Sequence, residues 1–446
     1  VARSVEEWRD YLLPKLAARI DRNGFLRRMY DGDHPMPTAP NQVTEKYRRL
    51  AEMSITNLCG LVVDAPTSKL TPKGVRLSEN GDEDLELWRR VWTANKLNAR
   101  CRVAHEEALK VGRSAALVWP TDTGVSVTVE DADQVIVAYA PGSTYERLAA
   151  LKWYNEDGYD FVTVWTPGLV QSWYRTASRT GAPQASTDWD VDPELPGGVN
   201  PLGRVPVVEF LCKPDAKGEP HPELSTSVIR MQTRINKTKF DMVVAGEDGA
   251  FPQRVMVGIE IERDASGAPI NPLTSGPNRV WALQSQDRGN PSGGRIDQFP
   301  AYDTSGLLAF GDATIRELGW ISRTSAIFML GGSSNVGADM IRALDDGHRA
   351  KVVAHQIVFG EAWEEVVALS MVALGMTPPA EIEIDWESPE FGSPAEMADA
   401  AIKLRQVGYS FKAVARYMGA SPAEVQRLVN ERTAELAAEP ATPVQG

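Results

Sequence analysis

The sequence predicts an α+β chain built in several parts, on three observations. Helical apolar spacing dominates the first 112 residues and returns after 303, while closely spaced strand patterns fill 115–211. Two helical patterns, 222–246 and 304–322, frame a small β insert with strands at 253–261 and 279–283. One unbroken helical pattern then runs from 338 to 374. At about 1.5 Å rise per residue this helix spans about 55 Å, too long for an ordinary piece of a compact core. A chain that leaves its main body, builds a β tip and returns is made for assembly rather than for a pocket.

The opening pattern sets Val5, Trp8, Leu12, Leu16 and Ile20 at helical spacing and closes in the turn-rich Tyr30-Asp-Gly-Asp-His-Pro35. Gly32 and Pro35 make Asx-type turns the better reading of Asp31, Asp33 and His34 than metal ligation. A second helix is expected over 47–63, stopped by Pro66. A third follows over 83–92, and a fourth over 99–111 closes at Gly112. Strands are expected at 115–119, 125–129, 134–139, 148–153, 160–165 and 205–211, separated by Gly, Asn, Asp and Pro, which suggests an antiparallel meander or barrel-like sheet. The Ser-, Gly-, Asp- and Pro-rich stretch 176–203 reads as an exposed loop.

Helix 222–246 carries Val228, Met231, Ile235, Met242 and Val243 on an apolar face and Arg230, Arg234 and Lys237 on another, a solvated face or one that pairs with the acids of a neighbouring subunit. In the insert, Val255, Val257, Ile259 and Ile261 alternate with polar residues, so one face needs a partner. The long helix stripes Ile341, Leu344, Val352, Phe359, Val366 and Leu369, with Gly347 and Gly360 as sites of a kink or close packing. His348 and His355 read as packed side chains. At the C-terminus, Ser-Pro-Ala-Glu occurs twice, at 393–396 and 421–424, each a capping-box helix start. Three helices follow, at 394–407, 411–418 and 422–437, the middle one capped by Ser410.

Composition sets the limits. The 446 residues are 43% apolar and 24% charged, the range of a folded soluble protein. No apolar run approaches the roughly 18 residues that span a bilayer, and the charged first thirty residues do not read as a signal peptide, so synthesis in the cytosol is expected. Cys59, Cys101 and Cys212 are too few and scattered for a disulfide framework or a zinc site and read as small buried hydrophobes. The net charge of −13 argues against a DNA clamp, whose affinity comes from neutralised phosphates, but suits a surface along which a duplex slides. Walker A, G-x-S-x-G and H-E-x-x-H patterns are absent, and Gly331-Gly-Ser-Ser-Asn335 lacks the lysine of a P-loop.

Several stretches in order carry a resemblance. They are Tyr30-Asp-Gly-Asp-His34, Asn57-Leu-Cys-Gly-Leu-Val-Val-Asp64, Trp92-Thr-Ala-Asn95, His105-Glu-Glu-Ala-Leu-Lys-Val-Gly112 and Gly203-Arg-Val-Pro-Val-Val-Glu-Phe210. Glu223-Leu-Ser-Thr-Ser-Val-Ile229, Phe251-Pro-Gln-Arg254, Asn335-Val-Gly-Ala338 with Arg342-Ala-Leu344, Phe359-Gly-Glu-Ala-Trp363 and Ile384-Asp-Trp386 continue the series. Together they resemble the portal proteins of long-tailed bacteriophages.

The resemblance implies a multi-part portal subunit with a mixed helical and β wing (1–221), a stem of two helices (222–248 and 301–323) and a small β clip (249–300). It further implies a tunnel loop (324–337), a long kinked helix with the wing return (338–392), a helical crown (393–438) and a flexible tail (439–446). Such subunits form a homo-oligomeric ring, typically of twelve, at one capsid vertex of the virion, after assembly in the host cytoplasm. Double-stranded DNA passes through without sequence specificity, driven by a separate terminase. The head-to-tail adaptor and the major capsid and scaffolding proteins are further partners, and there are no catalytic residues, cofactor or metal. Within the loop, Ile327, Phe328, Met329, Ser333, Ser334 and Asn335 are the expected DNA-facing residues; on the clip, Arg254, Arg279, Arg288 and Arg295 are expected to dock terminase and adaptor. The rival readings are a helix-turn-helix regulator built on 411–437 and an acidic hydrolase without a recognised motif. Glu424, Glu431 and Glu435 outnumber Arg427 and Arg432 on the would-be recognition helix, which disfavours the regulator.

Overall fold

The computed structural model describes residues 3–37, 45–77, 84–177, 183, 188–250, 254–257, 265–267, 295–298, 303–324, 329, 338–389, 394–420 and 422–438. Its helices are α1 Val5–Asp31, α2 Glu45–Ser54, α3 Cys59–Thr67, α4 Leu85–Trp88, α5 Leu97–Val111, α6 Thr226–Ala250 and α7 Ser305–Ser322. They continue with α8 Ala338–Ala373, α9 Pro394–Gln406, α10 Phe411–Tyr417 and α11 Pro422–Ala438, and a π-helical turn, Arg89–Thr93, extends α4. The strands are β1 Pro72–Leu77, β2 Arg113–Thr121, β3 Gly124–Glu130, β4 Val135–Tyr139, β5 Arg147–Glu156, β6 Tyr159–Trp165 and β7 Leu169–Thr176. β8 Asp190–Val191, β9 Gly198–Val199, β10 Val207–Leu211, β11 Arg254–Val257, β12 Arg295–Gln298 and β13 Ile382–Trp386 complete them. Two compact units result: Val1–Asp33, Leu58–Ile229 and Gly319–Gly446 form one, and His34–Asn57 with Arg230–Leu318 form the other.

The first unit is layered. α1 starts at a capping box, in which Ser4 Oγ accepts from Glu7 N while Glu7 accepts from Ser4 N, and ends where Gly32 turns left-handed at φ 87°. Its buried Trp8, Leu12, Leu13 and Leu16 pack on Ile136, Leu151, Trp153, Val162, Val164 and Trp173 of the antiparallel sheet β4-β5-β6-β7-β8. Fully burying each leucine contributes about 1.5–3 kcal/mol. The alternate strand residues Val135, Val137, Ala150 and Trp165 face the other way and meet Ala115, Val205 and Val207 of the layer that contains the sheet β10-β2-β3. Beyond it, Phe210 lies against Phe359 and Trp363 of α8, with His105 of α5 stacked on Phe359 at 5.0 Å between ring centres. Trp363 Nε1 donates to His105 Nε2 and Leu70 O accepts from Nδ1, which fixes a neutral tautomer; burial pushes this histidine down to about 3.

Most expected elements are present, and the meander is real, although it forms two sheets. Four readings change. The helix expected over 47–63 is two helices, because Thr56 bonds side chains of α6: its N–H donates to Asn236 Oδ1 (3.2 Å) and its carbonyl accepts from Gln232 Nε2 (2.6 Å). Pro66 does not stop α3, which begins only at Cys59 and carries the proline in its last turn. Strand β7 was not expected, since Gln171 and Ser172 interrupt its apolar residues, and β8 and β9 pair with it from the supposed loop 176–203. Finally, the long helix α8 is a core element after all: Val352, Phe359, Val366 and Leu369 are fully buried. Gly360 marks close packing, because an added Cβ would lie 3.3 Å from Trp386 Nε1.

In the second unit, the residues buried on α6 are Gln232, Ile235, Asn236, Thr238 and Phe240, so the seam is partly polar, and Met231, Met242 and Val243 are only half-buried. Asn236 Oδ1 accepts from Gln232 and Thr56, leaving its Nδ2 to donate to His34 Nδ1 at 2.9 Å. His34 is therefore a packed side chain. Arg234 pairs with Glu317 of α7, and Lys237 with Asp241 one turn on, so two cations of the basic face are paired with acids of the same chain. β11 and β12 form an antiparallel pair in which Arg254 is opposite Gln298 and Arg295 opposite Val257.

Candidate functional site

The first unit fixes three chain segments around one buried carboxylate. Glu223 lies just before α6, where its N–H donates to Leu109 O at 2.9 Å and Ser225 then caps the helix through Val228 N. Its side chain is 3% exposed. Oε2 lies 3.2 Å from Lys351 Nζ, and Oε1 accepts from His355 Nε2 at 3.0 Å and lies 3.2 Å from Lys213 Nζ. Lys351 and His355 share one face of α8, being four residues apart.

The same face holds the end of α7. Lys351 Nζ donates to Ser322 O at 2.8 Å, and one turn earlier His348 Nδ1 donates to Arg323 O at 3.1 Å. Arg323 takes φ 49°, and Thr324 N bonds back to Gly319 O, the six-to-one bond of a Schellman ending. One turn later Gln356 Nε2 donates to Lys69 O and Glu387 O. Residues 348–356 of α8 thus clamp the start of α6, the end of α7 and the segments beside β1 and β13.

Electrostatics matches this clamp. Burial opposes ionisation of Glu223, but the hydrogen bond from His355 and the charges of Lys351 and Lys213 outweigh it and hold the carboxyl well below the usual range. Burial lowers Lys351, and the Glu223 charge opposes that shift. Cys212 Sγ, the Glu223 carboxylate and the His355 ring lie within 4.8 Å of one another, the one such group among the described residues. Two ammonium groups on the same carboxylate, and a thiol pushed up by burial, oppose a metal cation there. All three cysteines are free and buried, as their small apolar character suggests.

Of the loop residues singled out from sequence, Ile327, Phe328, Ser333, Ser334 and Asn335 lie outside the described residues, as do Arg279 and Arg288 of the insert. Met329 is half-buried, with its Cγ 3.4 Å from where a Cβ on Gly319 would sit. Arg254 and Arg295 are placed at opposite ends of the β11–β12 pair. His348 and His355 are packed side chains, as their spacing suggests, but the clamp joins them to Glu223 and Lys351, a grouping that the helical spacing alone does not give. A polar stripe at 348, 351, 355 and 356 within an otherwise apolar helix was the available signal.

In the chain, α6 and α7, whose ends next to residues 223 and 322 are held at this clamp, bracket the β11–β12 pair, and a chain of this mixed, multi-part α+β class matches one known family. The model of the family described as "Phage portal protein, SPP1 Gp6-like" matches residues 9–415, and the chain belongs to that family. A portal protein of Mycobacterium phage D29 is 24% identical over 371 residues, covering 77% of this chain and 71% of that one. A portal protein of Mycobacterium phage L5 is 22% identical over 360 residues, with the same coverage. Among solved structures, the neck of an empty gene transfer agent particle matches with a TM-score of 0.45 and 13% identity, over 86% of this chain and 96% of that chain.

Proposed function

We propose that twelve copies of this chain close into a ring at one capsid vertex and form the channel through which double-stranded DNA enters and leaves the head. The observation that carries this reading is the family match over residues 9–415. The single chain adds support by exposing Leu308, Phe310, Trp320 and Ile321 on α7, with Trp320 73% exposed. Apolar side chains so placed call for a neighbouring surface, and in a closed ring each copy supplies it to the next. In this reading α6 and α7 are the stem, 249–300 is the clip that docks terminase and then the head-to-tail adaptor, and 324–337 faces the DNA. The ring takes its place in the shell beside the major capsid and scaffolding proteins. The chain's own role is structural, with DNA movement supplied by the terminase.

Electron microscopy of procapsids and virions tests it. The expected result is a ring at a single vertex, decorated by antibody against this chain; a vertex without the ring, or the chain located elsewhere, overturns the reading. The helix-turn-helix alternative loses ground on one further point. Arg427 of α11 lies 3.8 Å from Glu424 and 3.7 Å from Glu431, so acids on its own helix already hold its charge.

A further inference from the structure

We propose that His34 is a proton-sensitive latch in the second unit: the neutral ring, through Asn236 of α6, holds Thr56 and with it α2, and protonation of the ring releases them. Four hydrogen bonds carry this, because their directions are fixed. Thr56 presents a backbone N–H and a backbone C=O, whose donor and acceptor roles cannot be exchanged. Its carbonyl accepts from Gln232 Nε2 at 2.6 Å, which sets the orientation of the Gln232 amide. Its N–H donates to Asn236 Oδ1 at 3.2 Å, and the same oxygen accepts from Gln232 Nε2 at 2.9 Å. The Asn236 amide is thereby oriented as well, with Nδ2 toward His34 Nδ1 at 2.9 Å. Nδ1 therefore has to be the bare, accepting nitrogen of an uncharged imidazole.

A proton on Nδ1 sets one N–H against another. Turning the Asn236 amide over does not cure the clash, since its nitrogen would then face two donors, Thr56 N and Gln232 Nε2. Gln232, Asn236 and His34 are buried, so water does not take over a lost bond. The charged groups on the surrounding elements leave the conflict in place. Arg234 is held by Glu317 and Lys237 by Asp241, and Lys239, three residues beyond Asn236, can only oppose a further cation. Asp33, beside His34 in the chain, and Glu52 of α2 would favour a charged ring through Nε2 and leave the clash at Nδ1. The helix that depends on this tie has 10 residues, too few to hold by itself in water. Of the chain's five histidines, His34 is the one in the second unit.

The test is amide hydrogen exchange of the full-length chain at about pH 8 and pH 5.5, on either side of the ordinary imidazole value of about 6.5. Peptides covering 45–57 are read, with each rate divided by its intrinsic value at that pH. A closed network that admits no proton and an opened ring of ordinary basicity raise the opening equilibrium about tenfold between these two conditions. The sign is definite: protection is complete above the imidazole range and is lost as pH falls through it. His34→Asn puts a non-titrating acceptor where Nδ1 stands, so its protection should change less than about twofold. Asn236→Asp should reverse the sign, because a carboxylate still accepts from Thr56 and Gln232 and offers its second oxygen to a protonated ring. Either variant decides alone should the other fail to fold. Equal protection of 45–57 in wild type at both pH values, the full acid loss in H34N, or acid opening of N236D overturns the proposal. None of these outcomes depends on ring formation, which microscopy judges separately.

Discussion

Replacing Glu223 with glutamine keeps the shape of the clamp and removes its charge. Lys351, 6% exposed, then faces a neutral amide in place of its carboxylate and keeps the bond to Ser322 O, with no negative charge to balance its own. Removing one member of a buried ion pair costs about 3–5 kcal/mol, because the other charge stays buried. Lys213 is 44% exposed, so its share is under about 1 kcal/mol. E223Q should therefore lose about 3–5 kcal/mol and Lys213→Met less than about 1 kcal/mol, against a typical domain stability of about 5–15 kcal/mol. Urea unfolding followed by tryptophan fluorescence reports on this core, since Trp92 and Trp363 lie within it. Pairing E223Q with Lys351→Met removes the stranded charge and should recover part of the loss, a coupling that a double-mutant cycle measures. The pH dependence has a definite sign. The folded carboxyl is held below its unfolded value, so its contribution is complete above the ordinary carboxylate range and is lost as pH falls below it. Wild type should lose this part of its stability in acid, while E223Q should not. A loss under about 1 kcal/mol for E223Q, or strict additivity with K351M, would refute the clamp as an energetic unit.

Three further outcomes are expected. Gly197 stands at φ 93°, and an added Cβ would lie 2.5 Å from Gln171 Oε1 and 2.7 Å from Val170 O, so Gly197→Ala should cost about 1–3 kcal/mol. Gly198→Ala, with nothing within 4 Å, should leave the thermal midpoint within about 1 °C of wild type, and equal midpoints for the two variants would contradict the geometry. Aspartate at Ser333, Ser334 and Asn335 should preserve rings but slow packaging several-fold through repulsion of phosphates; packaging at the normal rate, with no crosslink from cysteines placed in the loop, would remove the loop from the channel. Deletion of 285–294 should leave rings intact and reduce adaptor or terminase binding at least tenfold in a pull-down titration, and normal tail joining would count against the docking role of 249–300.

Much of the fold was legible because it rests on local patterns. The stripe Trp8, Leu12, Leu16 survives as the buried face of α1, and Ser410 caps α10 by accepting from Ala413 N, as its position suggests. What escaped was decided at long range. The break between α2 and α3 depends on Gln232 and Asn236, some 176 to 180 residues away. No periodicity in 47–63 could announce that two amide side chains would take over the backbone bonds of Thr56.

The clamp shows why buried charge is worth keeping here despite its cost. Apolar residues at 223, 351 and 355 could fill the same volume, often with no loss of stability. They could not select a single arrangement, because dispersion is nearly indifferent to direction. Lys351 must reach both a carboxylate before α6 and the last carbonyl of α7, and His348 must reach the next carbonyl. A shift of α8 by one residue would break all of these bonds together. Both ends of the 324–337 segment are therefore referred to the same helix: one leaves from Thr324, next to the carbonyl that His348 holds, and the other returns as α8 itself. If that segment faces DNA, the clamp sets where it begins. E223Q rings should then show altered packaging even where assembly is complete, whereas a purely stabilising clamp would leave the packaging of assembled rings unchanged.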